Sequence, residues 1–331
     1  MLGIGTALPP HRLDPEAARE LLLRTFSRLR VAELRPGTRY TVEPADRLLR
    51  QRPLGDAMRT YAIHAPRLAA EAARRAMADA RVSADRIDMI VTVSCTGYQV
   101  PAMDVAMVAE LGLRPDVIRM PITELGCSGG LSALGLAHRH VEARPDDRVL
   151  VVAVELCSLC FQPGDRSLDN LTASMVFGDG AGAVVVGGGG PPPGRTEVVA
   201  SGRHLVPDTT ECLGFDLRDD GFHIVLGSRL PKVLEARLAP IVRGFWAGGL
   251  PEYHVVHAGG PRVFDAVERA LGLGPDALAL SRHVFERVGN LSSASIIFAL
   301  AELDEVGGDG LALAFGPGVT VELARLRRCR G

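Results

Sequence analysis

The sequence predicts an α/β protein built from two related halves. Short apolar runs alternate with longer amphipathic segments, the pattern of strands covered by helices. The stretch GGGGPPPG (187–194) interrupts the chain near its middle, because Gly and Pro there sustain neither helix nor strand. The segments on either side of it repeat one order of features. These place a first half at 1–190 and a second at 195–331.

RIDMIVTVS (86–94) reads as a buried strand, preceded by PRLAAEAARRAMADA (66–80), whose Ala, Leu and Arg spacing suits a helix covering a sheet. RVLVVAVEL (148–156), AGAVVVG (181–187), YHVVHAG (253–259) and GLALAFG (310–316) are further strands. In the first half, Gly126 and Cys127 precede a small-residue helix start, a helix and the strand RVLVVAVEL. In the second, Gly289 and Asn290 precede LSSASIIFALAELDEVGGD and the strand GLALAFG. Shared order and spacing point to duplication. If the halves pack about a pseudo-twofold axis, Cys127 and Asn290 come from matching helix starts facing a common centre.

The 331 residues suffice for two core-bearing lobes, and a formal net charge of −2 gives no reason to expect nucleic acid or an acidic membrane surface as partner. Lys232 is the only lysine, a bias we ascribe to an Arg-rich genome. Six cysteines are too few for a disulfide scaffold. Cys157 and Cys160 have C-x-x-C spacing, but no second pair or nearby His pair completes a zinc site, so no metal is expected. The N-terminal MLGIGTALPPHRLD lacks the features of a signal peptide, and the apolar runs fall far short of the ~20 residues that span a bilayer. A reducing cytoplasm is the expected compartment, with no membrane insertion.

Cys127 stands between an apolar run and a helix start, where unpaired N–H groups and partial positive charge favour thiolate over thiol. That setting suits a nucleophile. His257 ends the strand YHVV before the turn AGGP, at the kind of strand end where ligands collect in α/β folds, although taken alone it reads equally well as a buried structural histidine. Asn290 is a favoured N-cap residue, and its position matching Cys127 argues for more. Together the three have a chemical logic: the thiolate takes an acyl group, the imidazole stabilises it, and His and Asn donate hydrogen bonds to a thioester oxygen gaining charge.

ELGCSGG, VFGDGAGAVVVG, VHAGGPRVFDAVE, VGNLSSASIIF and AFGPGVTVE, in this order over nearly the whole chain, resemble the type III polyketide synthases of the chalcone-synthase family, in their bacterial form. The resemblance implies the thiolase fold: two duplicated α/β halves with mixed sheets in a five-layer helix/sheet arrangement, working as a homodimer. It implies that Cys127 takes an acyl-CoA starter and holds the growing chain, while His257 and Asn290 stabilise the enolate formed when malonyl-CoA loses carbon dioxide. No cofactor beyond the coenzyme A thioesters is implied. Phe177 matches the family's aromatic gatekeeper, Ile224 replaces a second one, and Phe215 falls where plant members have glycine. Cys95, Cys157 and Cys160 fall on the cavity wall, where each also suits a small buried hydrophobe. Ser292 joins the substrate-binding residues, and Val100 matches a residue that reaches across the dimer. Among Arg28, Arg30, Arg35 and Arg39, Arg35 and Arg39 are the expected contacts for coenzyme A.

The expected products are cyclised pyrones, resorcinols or naphthalene-type polyphenols. ELCSLCFQPGD resembles bacterial members that make tetrahydroxynaphthalene and alkylpyrones more than plant chalcone synthases. A ketoacyl synthase performing one condensation is the alternative enzyme; its His usually lies in an HQAN setting, where this chain has HAGGP. Thiolases place a second cysteine near the C-terminus, and Cys329 in RRCR lies past the last strand. A catalytically silent paralogue acting as a partner protein is the remaining alternative, and its handicap is that Cys127, His257 and Asn290 are all intact.

Overall fold

The computed structural model describes residues 1–26, 36–190, 192–246, 251–303 and 307–328. The first half opens with β1 (Gly3–Ala7), β2 (His11–Leu13) and α1 (Pro15–Thr25). Helix α1 starts where the sequence demands it: Asp14 accepts from the amides of Glu16 and Ala17, and Pro15 occupies the first turn. β3 (Arg39–Thr41), the single turn α2 (Ala45–Leu48) and the long α3 (Leu54–Ala80) follow. Helix α3 starts twelve residues before the 66–80 expected, because Pro66 is accommodated inside it and Ala57 and Tyr61 extend its buried face.

β4 (Met89–Val93), α4 (Met103–Leu111), β5 (Ile118–Ile122), α5 (Gly129–Ala143), β6 (Arg148–Leu156), α6 (Leu168–Val176) and β7 (Asp179–Gly187) complete this half. The second half contains β8 (Thr196–Leu205), the hairpin β9 (Leu213–Arg218) and β10 (Gly221–Leu226), α7 (Leu230–Phe245) and β11 (Tyr253–Val256). It ends with α8 (Pro261–Leu271), α9 (Ala279–Val288), α10 (Ser295–Ala301), β12 (Gly308–Gly316) and β13 (Thr320–Arg328).

The first sheet has the order β1-β7-β6-β4-β5 and the second β11-β12-β13-β8. In the first, β4 pairs parallel with β6, and β6–β7 and β7–β1 are antiparallel. In the second, β11 pairs parallel with β12, and β12–β13 and β13–β8 are antiparallel. The run β4-β6-β7-β1 thus has the order and sense of β11-β12-β13-β8. Both sheets are mixed.

Helices α5 and α10 lie between the sheets, α3 and α4 cover the outer face of the first, and α7–α9 flank the second. The two central helices approach so closely that a Cβ added at Gly130 would overlap the carbonyl oxygen of Ser293. Strand β5 is an exposed edge, with Ile118 and Met120 open to solvent and Arg119 held by a two-point ion pair to Asp104. No described helix is long and apolar enough to cross a membrane.

Gly130→Ala separates packing from propensity. Alanine in a helix interior ordinarily gains about 1 kcal/mol over glycine, whereas overpacking here should cost about 1–3 kcal/mol. Urea unfolding should show net destabilisation; a stabilised variant would mean the central helices are free to separate.

Candidate active site

Cys127 sits in a single 3-10 turn, Gly126–Ser128, that runs into α5. Gly126 has φ +55°, and a Cβ on it would come 2.5 Å from the Pro317 ring. Only glycine combines that conformation with that neighbour. The thiol is 7% exposed. Burial pushes it up to about 11, while hydrogen bonds from Ser292, from Asn290 and within its own backbone pull the other way. The standing thiolate expected from the helix start is therefore not the resting form: desolvation outweighs the helix terminus.

Asn290 is held by backbone on both sides. Its amide donates to Val176 O at 2.7 Å and its carbonyl accepts from Gly178 N at 3.0 Å, forming a parallel bridge with Phe177. Its side-chain Oδ1 accepts from Ser292 N (2.8 Å) and Ser295 Oγ (3.2 Å). With the oxygen so committed, the Nδ2 end is the donor left for the Cys127 sulfur.

His257 extends β11 by one bond, donating its amide to Leu313 O at 3.0 Å. Its ring meets Phe315 edge-on, with centroids 5.5 Å apart. Burial pushes the imidazole down to about 4, so it is neutral. Nδ1 is buried and has no partner among the described residues. Phe315 precedes Gly316 at the end of β12, and a Cβ on Gly316 would overlap the Ser128 hydroxyl. The end of β12 thus contacts both the Cys127 turn and the His257 ring.

The sequence reading missed Glu155, the residue that ties this region together. It is fully buried at the end of β6. Its carboxyl accepts from Thr96 Oγ1 (2.7 Å), Cys95 N (3.0 Å), Ser94 Oγ (3.4 Å) and Ser293 N (3.3 Å), and closely from Ser293 Oγ. The signal was a lone acid inside the apolar run VLVVAVEL. Ser292, left-handed at φ +47°, places its Oγ 3.2 Å from Cys95 Sγ and also serves Cys127. Asp179 of the VFGDG motif was missed too: it accepts from Val42 N (2.8 Å), Ser158 N (2.7 Å) and Ser158 Oγ (2.6 Å), joining β3 to the turn that carries Cys157 and Cys160.

A cavity of about 680 Å³ opens over Cys127. Cys95, Cys157, Cys160, Phe177, Phe215, Ile224, Ser292 and Arg39 line it, as do Leu13, Leu21 and Leu22 around α1. Phe215 and Ile224 are opposite partners on the β9–β10 hairpin, so their side chains share one face. Leu213, Leu217 and Phe222 stand on that same face, making one wall of the cavity from a single hairpin. Phe177 follows α6 as its C-cap residue. Val100 lies elsewhere, 79% exposed beside Tyr98. Arg39 is buried rather than displayed for a phosphate, and Arg28, Arg30 and Arg35 lie outside the described residues. Among the described residues no group of three or more His, Cys, Asp or Glu side chains could hold a metal ion.

Two family models account for most of the chain: the N-terminal domain of chalcone and stilbene synthases matches residues 52–191, and their C-terminal domain matches 197–329. The chain belongs to the chalcone and stilbene synthase family. This type III polyketide synthase is 37% identical to the 1,3,6,8-tetrahydroxynaphthalene synthase of Streptomyces griseus, over 92% of this chain and 83% of that one. It is 33% identical to the alpha-pyrone synthesis polyketide synthase-like Pks18 of Mycobacterium tuberculosis, over 94% and 82%. The crystal structure of the tetrahydroxynaphthalene synthase of Streptomyces coelicolor A3(2) superposes with a TM-score of 0.92 at 32% identity, covering 99% of both chains. The thiolase-type fold expected from the sequence is the one observed.

Glu155→Ala would leave the donors of Ser94, Cys95, Thr96 and Ser293 facing a dry void. Each buried donor left unpaired costs about 1–3 kcal/mol, so urea unfolding should show a loss on the order of 3 kcal/mol or more. Glu155→Gln, which keeps one acceptor, should fall between. An alanine variant as stable as wild type would remove Glu155 from its place at the centre of this region.

Proposed function

We propose that Cys127 carries the acyl chain, that His257 and Asn290 activate malonyl-CoA, and that the product is a cyclised naphthalene-type or pyrone polyketide. One observation carries this reading: the buried Cys127 thiol, with the side chains of Asn290 and Ser292 close enough to favour its ionised form, lies beneath a large, mostly apolar cavity.

The chemistry then runs as follows. His257 takes the proton of Cys127, and the thiolate attacks the starter thioester; the C–S bond to coenzyme A breaks and its thiol leaves protonated. Malonyl-CoA binds with its thioester oxygen toward His257 and Asn290. Its carboxylate departs as carbon dioxide, and the electron pair of the broken C–C bond becomes an enolate stabilised by those donors. The enolate carbon attacks the Cys127 thioester, forming the new C–C bond and releasing the thiolate. Transfer of the extended chain back to Cys127 allows another round. A neutral imidazole suits both roles, as acceptor of the thiol proton and as donor to the enolate.

The names of the relatives favour a naphthalene-type product, with a pyrone as the second reading that the alpha-pyrone relative supports. The β9–β10 wall, with Phe215 opposite Ile224, is the element that would fold the chain for cyclisation. We further propose a homodimer formed through the face that carries Tyr98, Val100, Val105, Ile118 and Met120, all exposed between β4 and the end of β5.

Mass spectrometry of products from malonyl-CoA alone, and then with acetyl-, medium- and long-chain acyl-CoA starters, tests this reading. Cyclised products should appear with wild type and vanish with Cys127→Ala. A single ketoacyl product would instead make the chain a one-step condensing enzyme, and no acylation of Cys127 would make it a silent partner.

A second measurement isolates His257. Left to ionise by itself, Cys127 does so only as pH approaches about 11 even in the intact protein, so with no imidazole to act as base, alkylation of His257→Gln by iodoacetamide should rise about tenfold per pH unit from 6 to 10. At pH 7 wild type should react more than about tenfold faster, with the gap closing toward pH 11. Equal rates at pH 7 would mean His257 does not assist the thiol.

A further inference from the structure

The roles assigned to Cys127, His257 and Asn290 leave Arg39 unexplained. It is 3% exposed, and no carboxylate lies within 4 Å of it among the described residues. Its guanidinium donates to Thr38 O at 2.7 Å and Met175 O at 2.5 Å, and sits 5.0 Å from the centre of the Phe285 ring. Nε is buried without a partner among the described residues. Burial lowers the group to about 10, which leaves it a cation at neutral pH. A methionine would fill this space without burying a charge, so packing alone does not account for an arginine.

Its neighbours show what the charge holds. Met175 lies in the last turn of α6, where backbone carbonyls have no partner within the helix and a cation is favoured. The next carbonyl, Val176 O, accepts from Asn290 N; the next residue is Phe177, and Gly178 N returns to Asn290 O. On the other side, Gly289 (φ +82°) lies so close that a Cβ there would stand 2.6 Å from Arg39 Cδ and Nε; one on Gly178 would stand 3.4 Å from Cδ. Two glycines flanking the Phe177–Asn290 bridge thus make room for one side chain.

We propose that Arg39 is a positioning residue: wedged between the end of α6 and the Gly289–Asn290 backbone, it fixes the Phe177–Asn290 bridge and so the angle of the Asn290 carboxamide. The planar fork reaches two carbonyls while stacking on Phe285, which a lysine cannot do. Its role is thus distinct from the coenzyme A contact that the sequence suggested. It acts chiefly on the step that depends most on Asn290, loss of carbon dioxide from malonyl-CoA, and affects loading of Cys127 less. This inference rests on the proposed role of Asn290.

The test compares Arg39→Met, Arg39→Lys and Asn290→Ala with wild type, reading malonyl-CoA decarboxylation, condensation, and single-turnover acylation of Cys127 by intact-protein mass spectrometry. In Arg39→Met, kcat for decarboxylation and condensation should fall about 10²-fold, the scale of a misplacement of about 1 Å. KM for both thioesters should hold, and acylation of Cys127 should fall less than about tenfold. Arg39→Lys should recover part of kcat; if the methionine variant does not fold, the lysine variant carries the test, with a smaller drop in kcat at unchanged KM. A rise in KM for both thioesters at constant kcat would make Arg39 a coenzyme A ligand and overturn the proposal, as would wild-type kcat in the lysine variant without a folded methionine one. If Asn290→Ala retains decarboxylation, the role of Asn290 falls. If only Asn290→Ala loses it, the inference about Arg39 falls alone.

Discussion

A buried carboxyl group cannot be left without donors, and Glu155 meets that demand by drawing on both halves of the molecule. Ser94, Cys95 and Thr96 approach it from the loop after β4, and Ser293 approaches from the start of the helix that enters α10. Cys95 is itself one of those partners and Ser292 adjoins another, so satisfying Glu155 also sets the contact between the Cys95 sulfur and the Ser292 hydroxyl. The close approach of Gly130 to Ser293 belongs to the same constraint, since a bulkier helix surface would pull Ser293 out of reach. The polar contacts around the thiol are in this sense consequences of one acid.

The same burial governs the reactive groups. Desolvation holds the Cys127 thiol and the His257 imidazole neutral more firmly than water would. Moving a proton from one to the other creates a charge pair without bringing net charge into the site. Burial then works in favour of the proposed chemistry, because polar groups beside the thiol act at low dielectric.

Shape is delegated to less central elements. One face of the β9–β10 hairpin supplies Phe215, Phe222 and Ile224, and α1 contributes Leu21 and Leu22 opposite. These residues can vary without touching the Glu155 contacts or the Asn290 bridge. A cavity of about 680 Å³ can thus be reshaped for different chains while the condensing groups stay in place.

The sequence by itself determined the class of fold, the strands at 148–156 and 310–316 and the break between the sheets, and it nominated Cys127, His257 and Asn290. Apolar periodicity and glycine-rich turns are local properties, and the five motifs are short enough to read directly. It also brought Phe215 and Ile224 forward as separate pocket residues, without the register that makes them opposite partners. Only the tertiary structure decided the rest. Glu155 and Asp179 look like interruptions of apolar strands until their donors, from segments up to 138 residues away, are brought to them. Arg39 looked like one of several surface cations until the fold enclosed it. A charge pattern in sequence carries no depth, and depth is what sets whether an ionisable group meets water, a ligand or the backbone beside it.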